Sequence, residues 1–192
     1  MKKILCIVGS PRRTGGCQAL VRKVVETCEE LGAEAQVYSV YDMDFRGCVA
    51  CMACKTGSEE CVLRDDLTPV LRAMKEADIL ILASPIYFGD VTGEFKKAID
   101  RMYSLMTPEY LTGGNPSRLA PGKKCLFITT QGYPGEDRFG GPLETYGGFL
   151  GPGWFGYEMH FLRGLGLRAP SDASVNPELM GQAEELARKL MA

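Results

Sequence analysis

Four of the chain's eight cysteines lie within fifteen residues, in the segment GCVACMACKTGSEEC from Gly47 to Cys61. Cys48, Cys51 and Cys54 are separated by two residues each, and six residues separate Cys54 from Cys61. Thiols gathered in this way form disulfides, bind zinc, act as a redox dithiol or ligate an iron-sulfur cluster. Which chemistry applies depends on the compartment and on the elements that position the segment.

Length, composition and the N-terminal segment together predict one domain in a compartment where thiols stay reduced. The 192 residues, 45% of them hydrophobic and 24% charged, are enough for one buried core. A net charge of -2 provides no basic field, so we expect neither nucleic acid nor a membrane as a partner. The N-terminal apolar run is about six residues long, too short for a signal peptide. We therefore expect a cytoplasmic protein, in which disulfides are disfavoured.

The spacing of the four cysteines favours a cluster among the remaining chemistries. Structural zinc usually takes two separated C-x2-C pairs, and no second pair follows in the chain. A redox dithiol needs a single C-x2-C and would leave two cysteines unexplained. Three thiolates at successive x2 spacings can bind one face of a cubane cluster, and Gly57 lets the chain turn back to deliver Cys61. Zinc stays open as a secondary interpretation.

The segments around the cysteines alternate between apolar strands and amphipathic helices. Apolar runs predict strands at 3–9, 33–40, 78–85, 123–132 and 156–164. Helical periodicity predicts helices at 18–32, 65–77, 92–106 and 177–191. This alternation is typical of an α/β domain with a parallel sheet covered on both faces, which binds ligands at the carboxyl ends of its strands.

Three loops at predicted strand ends carry groups that suit a phosphate and a planar ring. Gly9 to Gln18 brings glycines, Ser10 and two arginines to a helix N-terminus. This loop favours one phosphate monoester, because it matches neither the dinucleotide nor the NTPase glycine pattern. Ser84 to Gly93 and Thr129 to Asp137 add aromatic walls and polar groups such as Gln131. A solvated turn with surface arginines is the other interpretation of the first loop.

Four motifs together resemble the flavodoxin-like NAD(P)H-dependent FMN reductases, and specifically their iron-sulfur flavoprotein branch. The motifs are GSPRRTGG, CVACMACKTGSEECVLRDD, ASPIYFGDVTGEFKKAIDR and TTQGYPGED, in the order of the family. The resemblance implies a flavodoxin-like three-layer sandwich with a five-stranded parallel sheet in the order 2-1-3-4-5. It also implies one FMN-binding domain over residues 1–192, with a cysteine-rich insertion at about 45–65.

The resemblance also assigns residues to each cofactor. Those implied for FMN are Ser10, Arg12, Gly16, Cys17 and Gln18 at the phosphate, Pro85, Ile86, Tyr87, Phe88 and Gly89 along the ring, and Thr130, Gln131 and Gly132 from the fourth strand. Those implied for a [4Fe-4S] cluster are Cys48, Cys51, Cys54 and Cys61. Relatives often carry Asn and Ser or Thr where this chain has Gly16 and Cys17, which removes a hydroxyl contact to the phosphate.

We therefore expect an FMN-dependent oxidoreductase that passes electrons between a reduced donor and an acceptor through FMN and the cluster, with NAD(P)H as a co-substrate. No side chain is assigned a catalytic role, because the cofactor carries the chemistry. The alternatives are a cluster-free NAD(P)H-dependent reductase of flavin or quinones, a non-catalytic flavodoxin-like electron carrier and a zinc-stabilised interaction module. The resemblance implies a small-molecule or protein redox partner and a homodimer or homotetramer.

Overall fold

A parallel five-stranded sheet forms the centre of the computed structural model, which describes all residues from 1 to 192. Its strands are β1 (Lys3–Val8), β2 (Glu34–Ser39), β3 (Ile79–Pro85), β4 (Lys124–Thr130) and β5 (Glu158–Gly164). They lie in the order β2-β1-β3-β4-β5, and every neighbouring pair is parallel. The flavodoxin-like α/β fold and the strand order 2-1-3-4-5 are confirmed.

Six helices accompany the sheet. They are α1 (Gly16–Glu30), α2 (Ala53–Thr56), α3 (Leu67–Glu76), α4 (Gly93–Arg101), α5 (Gly141–Leu150) and α6 (Pro177–Met191). Helices α1 and α6 pack on one face of the sheet, and α3, α4 and α5 pack on the other. Two 3-10 turns follow β2 and α4, at Val40–Asp42 and Met102–Leu105. No helix has both the length and the apolar character of a membrane span.

The strands divide their side chains between two cores, because successive residues of a strand face opposite sides of the sheet. In β3, Leu80 and Leu82 belong to the core under α3, α4 and α5, whereas Ile79 and Ile81 belong to the core under α1 and α6. Strand β3 is buried along its whole length. A parallel strand covered on both faces needs apolar residues at every position, which explains the continuous apolar runs in the sequence.

Three helical features differ from the sequence prediction. The sequence did not predict α2 or α5, and α5 contains three glycines, which lower helix propensity. It forms because Pro142, Tyr146 and Leu150 are buried at helical spacing. The helix expected at 92–106 ends early and continues as a 3-10 turn. Asn176 caps α6 through its side chain.

Hydrogen bonds join the loops at the carboxyl ends of the central strands. Gly9 N donates to Ala83 O (2.7 Å), and the Thr92 hydroxyl donates to Gly9 O (2.7 Å). Ile86 N donates to Thr130 O (2.8 Å). The order of the strands reverses between β1 and β3, and open α/β sheets bind their ligands at such a switch point. The loops that border this point are therefore held in fixed positions.

Close packing at this edge requires glycine at position 9. A Cβ at Gly9 would lie 2.5 Å from Phe95 Cβ, and Phe95 is fully buried. We predict that Gly9→Ala lowers the free energy of unfolding by about 1–3 kcal/mol, because an overpacked core must shift its side chains. Urea unfolding measures this change.

Gly148→Ala is the matched control for this substitution. Gly148 lies in α5, and nothing lies within 4 Å of its added Cβ. Alanine in a helix is favoured over glycine by about 0.8–1 kcal/mol, so we expect the control to be neutral or stabilising. Equal stability of Gly9→Ala and the wild-type protein would show that the loop after β1 tolerates a side chain.

Candidate functional site

A crevice of about 660 Å³ lies at the switch point of the sheet. The predicted residues that line it are Ser10, Arg12, Gly16, Cys17, Pro85, Ile86, Tyr87, Thr130, Gln131 and Gly132. Three predicted residues, Gln18, Phe88 and Gly89, do not line it. The structure adds Gly15 of the predicted loop Gly9 to Gln18, and three residues outside the predicted loops: Leu167, Arg168 and Ala169.

The first turn of α1 brings backbone amides to the crevice. Gly15 is the N-cap residue and provides no side-chain cap. The first N–H groups of a helix have no acceptor within the helix. Gly16 and Cys17 of this turn line the crevice. These amides and the positive end of the helix dipole favour an anionic group at this end.

Two arginines are the charged residues of the crevice, and no carboxylate lines it. Arg12 Nη1 donates to Arg168 O (3.2 Å), and Arg168 Nε donates to Gly132 O (3.2 Å). Asp172 Oδ2 accepts hydrogen bonds from the backbone N of Arg168 and of Ala169, both at 2.7 Å, and so fixes this turn. Two guanidinium groups beside a helix N-terminus suit a phosphate.

The loop that carries Arg168 follows β5, and its position could have been inferred from the predicted topology. All carboxyl ends of a parallel sheet lie at one edge. The fifth predicted strand ends at residue 164, and the segment LGLRAP follows directly. Leu167 N donates to Gln131 O (2.9 Å), which joins this loop to the end of β4. The crevice is thus built from four strand-end loops instead of the three predicted.

Cys17 is buried beneath the crevice and bonded to a neighbouring hydroxyl. Its Sγ lies 3.1 Å from Thr130 Oγ1, and the residue is 1% exposed. Burial raises the pKa of Cys17 to about 12, although the hydrogen bond with Thr130 lowers it. The thiol is therefore protonated near neutral pH. At the preceding position, a Cβ on Gly16 would lie 3.0 Å from Leu167 Cδ1, so a larger residue would require Leu167 to move.

The loop after β3 contains a two-residue turn. Tyr87 N donates to Asp90 O (2.8 Å), and Asp90 N donates to Tyr87 O (3.2 Å). Phe88 and Gly89 both have positive φ, at 51° and 92°, as in a type I′ turn. Positive φ is strained for a bulky residue such as Phe88. The turn leaves the Phe88 side chain fully exposed, whereas Tyr87 lines the crevice.

The side-chain amide of Gln131 is occupied within the protein. Its Nε2 donates to Tyr133 O (2.9 Å) and Gly135 O (3.1 Å). Its Oε1 accepts from Arg163 Nε (3.2 Å) and Nη2 (2.9 Å). Both amide hydrogens and both lone pairs of the Gln131 side chain are therefore used, and its backbone N–H donates to Gly164 O (2.9 Å). The Tyr133 ring packs against Phe139 and does not line the crevice.

The four predicted metal-ligating cysteines line a second hollow of about 380 Å³. Cys48 and Cys51 are exposed, Cys54 and Cys61 are half-buried, and none forms a disulfide. The other lining residues are mostly apolar, and Arg101 is the charged residue among them. No group of three or more His, Cys, Asp or Glu side chains has an arrangement that could hold a metal ion.

Backbone turns between the cysteines wrap the segment around this hollow. Ala50 and Met52 have positive φ, at 52° and 58°. Non-glycine residues in this conformation cost about 1–3 kcal/mol each and persist only where the surroundings impose them, as at functional sites. Both residues line the hollow. The strain in the segment is consistent with a site that needs its thiols in a fixed arrangement.

Two cations anchor α2, which carries Cys54. Lys55 Nζ donates to Tyr103 O (2.6 Å) and Met106 O (2.8 Å), and it lies 4.0 Å from the centre of the Tyr103 ring. Arg118 Nη2 donates to Cys54 O (3.0 Å). Burial lowers the pKa of Lys55, while the neighbouring Cys54 raises it.

Arg101 connects the two ends of the cysteine segment. Its Nη1 donates to Arg46 O (2.7 Å) and Asp65 Oδ2 (2.8 Å), and its Nη2 donates to Leu63 O (3.4 Å) and Asp65 Oδ1 (3.3 Å). Asp65 Oδ1 also accepts from Leu67 N (3.2 Å), so the same carboxylate serves the start of α3 and this ion pair. Burial raises the pKa of Asp65, but the hydrogen bond from Arg101 and further donors bring it below its ordinary value.

Comparison with known proteins relates the chain to flavin enzymes. A profile of the NADPH-dependent FMN reductase family matches residues 2–136. An iron-sulfur flavoprotein of Methanocaldococcus jannaschii is 39% identical over 99 residues, which are 52% of this chain and 51% of that protein. The matched part of the chain thus spans about half the length of this curated relative.

Two solved structures share the fold over the whole chain. An NAD(P)H:quinone oxidoreductase from Methanothermobacter marburgensis has a TM-score of 0.72 at 18% identity, over 100% of this chain and 98% of that one. An FMN-dependent NADH-azoreductase from Bacillus anthracis, in complex with FMN, has a TM-score of 0.71 at 18% identity, over 100% of both chains. At these identities the similarity establishes the fold alone.

The ion pair between Asp65 and Arg101 makes stability depend on pH. Because the pKa of Asp65 is lower in the folded than in the unfolded protein, where it is about 3.9, the pair stabilises fully above that value. Its contribution is lost as pH falls through the folded pKa. We predict that Asp65→Asn lowers the free energy of unfolding at pH 7 by about 3–5 kcal/mol, because it leaves Arg101 buried without its partner.

Urea unfolding at pH 7, 5, 4 and 3 tests this prediction. The difference between the wild-type protein and Asp65→Asn should shrink as the pH falls. Asp66→Asn is the control, because Asp66 is exposed and accepts from Asp44 N without a cationic partner. A difference that does not vary with pH would mean that the Asp65 carboxylate does not stabilise the fold through its charge.

Proposed function

The chain belongs to the NADPH-dependent FMN reductase family, and from this premise we propose that it is an FMN-dependent oxidoreductase with NAD(P)H as electron donor. The observation that carries the proposal is the crevice at the switch point, with a helix N-terminus, two arginines and no carboxylate. The chemistry that FMN supplies when bound is acceptance of a hydride from the donor and return of two electrons to the acceptor.

The residues after β1 suit the phosphate of FMN. The amides of Gly16 and Cys17 bind its oxygens, and Arg12 and Arg168 offset its charge. Ser10 Oγ accepts from Arg12 N (3.3 Å), which leaves its hydroxyl hydrogen free for a phosphate oxygen. Cys17 contributes its amide but not its thiol, because the thiol is bonded to Thr130.

The residues after β3 and β4 suit the flavin ring. Pro85, Ile86 and Tyr87 supply an apolar wall, and the backbone N–H of Gly132 supplies a polar group for the edge of the ring. The chain's own residues orient the ring and limit its contact with water. No side chain of this crevice is required as an acid or base, because the flavin carries the reaction.

We further propose that Cys48, Cys51, Cys54 and Cys61 hold a [4Fe-4S] cluster, which supplies one-electron transfer when bound. The shared hollow supports this proposal, because all four thiols line it and its wall is mostly apolar. The buried cation of Arg101 offsets the negative charge that four thiolates bring. The relative from Methanocaldococcus jannaschii is named an iron-sulfur flavoprotein.

The proposal also covers the domain organisation and the electron acceptor. Residues 1–192 act as one FMN-binding domain, and the stretch at about 45–65, which contains only α2, is a cysteine-rich insertion between β2 and α3. The electron acceptor is a small molecule or a protein.

A cluster-free NAD(P)H-dependent reductase of flavin or quinones is the second candidate function, because no group of thiols has the arrangement of a metal site.

The phosphate site is tested by removing the arginine that the sequence analysis missed. We predict that Arg168→Ala raises the dissociation constant of FMN about 10- to 100-fold, since a hydrogen bond to a charged group contributes about 1.5–3 kcal/mol. Binding of riboflavin, which lacks the phosphate, should not change. Quenching of flavin fluorescence at fixed salt measures both affinities.

Arg188→Ala is the matched control for Arg168→Ala, because Arg188 lies in α6 and pairs with Glu184 on the surface. We expect its affinity for FMN to equal that of the wild-type protein. If Arg168→Ala binds FMN as tightly as the control does, Arg168 does not contact the phosphate.

The cofactors are tested together by the absorption spectrum of protein purified without oxygen, with iron and acid-labile sulfide assayed on the same sample. We predict flavin bands, a broad brown shoulder and about four irons per chain. Cys51→Ser should lose the iron and keep the flavin, whereas Cys28→Ala, a buried cysteine outside the segment, should keep both. Flavin without iron after reconstitution would leave the cluster-free reductase, and a protein that binds no flavin would refute the FMN proposal.

A further inference from the structure

Arg101 lines the cysteine hollow and has one buried donor atom without a hydrogen-bond partner. Arg101 is 1% exposed, and its Nε is a buried atom without a hydrogen-bond partner. Thr129 Oγ1 also lacks a hydrogen-bond partner, but Thr129 lines neither the hollow nor the crevice. A buried charged donor without an acceptor destabilises the fold, so its retention requires an explanation.

The Nε–H group is the one donor of the Arg101 side chain that has no acceptor. A guanidinium group carries five N–H donors. The two on Nη1 are matched by Arg46 O and Asp65 Oδ2, and the two on Nη2 are matched by Leu63 O and Asp65 Oδ1. Only Nε–H is left, on a side chain that lines the hollow of the four cysteines.

The surroundings of Arg101 in the hollow are rich in sulfur. An arginine side chain is not deprotonated in proteins. The guanidinium group is therefore charged, and sulfur atoms are the acceptors that the four cysteines bring to this hollow. Sulfur that carries negative charge accepts a charge-assisted hydrogen bond, which is stronger than one between neutral groups.

We propose that Arg101 is a positioning residue whose Nε–H donates a hydrogen bond to a sulfur atom of the cluster held by Cys48, Cys51, Cys54 and Cys61. This inference rests on the cluster of the proposed function. The hydrogen bond fixes the cluster in the hollow and raises its reduction potential, because a donor to sulfur stabilises the reduced form, which is more negative. Arg101 thereby combines two tasks, since its other four donors hold the cysteine segment.

Pulsed electron paramagnetic resonance of the reduced wild-type protein tests the hydrogen bond directly. The protein is produced with 15N-labelled arginine and reconstituted with iron and sulfide without oxygen. We expect a 15N hyperfine coupling to the cluster that is absent from Arg101→Lys. Lysine keeps the positive charge but has no Nε–H in a planar fork. A wild-type cluster without any 15N coupling, or a coupling that persists in Arg101→Lys, would overturn the inference.

Redox titration separates a hydrogen bond from a merely structural role. We expect Arg101→Lys to lower the reduction equilibrium constant about tenfold, ~59 mV for one electron. Asp65→Asn breaks the same ion pair but keeps Nε–H and removes a negative charge, so its potential should not fall. A fall of equal size in both variants would indicate a structural role and overturn the inference.

The two measurements also distinguish this inference from the proposed function. If Arg101→Lys does not fold or holds no iron, the coupling in the wild-type protein decides the question alone. Wild-type protein that takes up no iron after reconstitution would overturn the cluster itself, and this inference with it. Wild-type protein that holds four irons but shows no coupling would overturn only the role of Arg101.

Discussion

The ion pair between Arg101 and Asp65 is the interaction on which the cysteine segment depends. The segment has few apolar contacts of its own, since two of its four cysteines are exposed and α2 contains no buried residue. Lys55 and Arg118 anchor its middle, and Arg101 bonds the carbonyl groups of Arg46 and Leu63 at its two ends. A single side chain at the end of α4 thus closes a loop of about 16 residues, whose closure would otherwise cost entropy.

Helix α4 links this hollow to the crevice. Thr92, its N-cap, donates its hydroxyl to Gly9 O in the loop after β1, and Arg101 is its last residue. Nine residues of helix rise about 14 Å, at 1.5 Å per residue. A helix is a stiff spacer, and α4 is packed against the sheet through Phe95 and Ala98. The separation between the loop after β1 and the cysteine segment is therefore set by the length of one short helix.

The sequence predicted the parts of the fold that depend on local pattern. Continuous apolar runs located the five strands, but the strand order came from family resemblance, because hydrophobic periodicity carries no information on which strands pair. Helix α5 was missed because its glycines lower propensity, and it is stabilised by burial against β4 and β5. Ten of the residues predicted for FMN line the crevice. The position of Arg168 in the crevice depends on a contact between the loops after β4 and β5, which lie about 35 residues apart along the chain.

Gly16 and Cys17 offer no side-chain hydroxyl to the proposed phosphate site, but another loop of the crevice compensates for this. Cys17 offers no hydroxyl to a ligand, since its thiol is buried and bonded to Thr130. Gly16 has little room for a larger side chain, because Leu167 Cδ1 lies 3.0 Å from where a Cβ would be. The loop that supplies Leu167 also supplies Arg168, a full positive charge at the same crevice. A charged donor contributes more to phosphate binding than a neutral hydroxyl does, so the loop after β5 both excludes the larger residue and replaces its contribution.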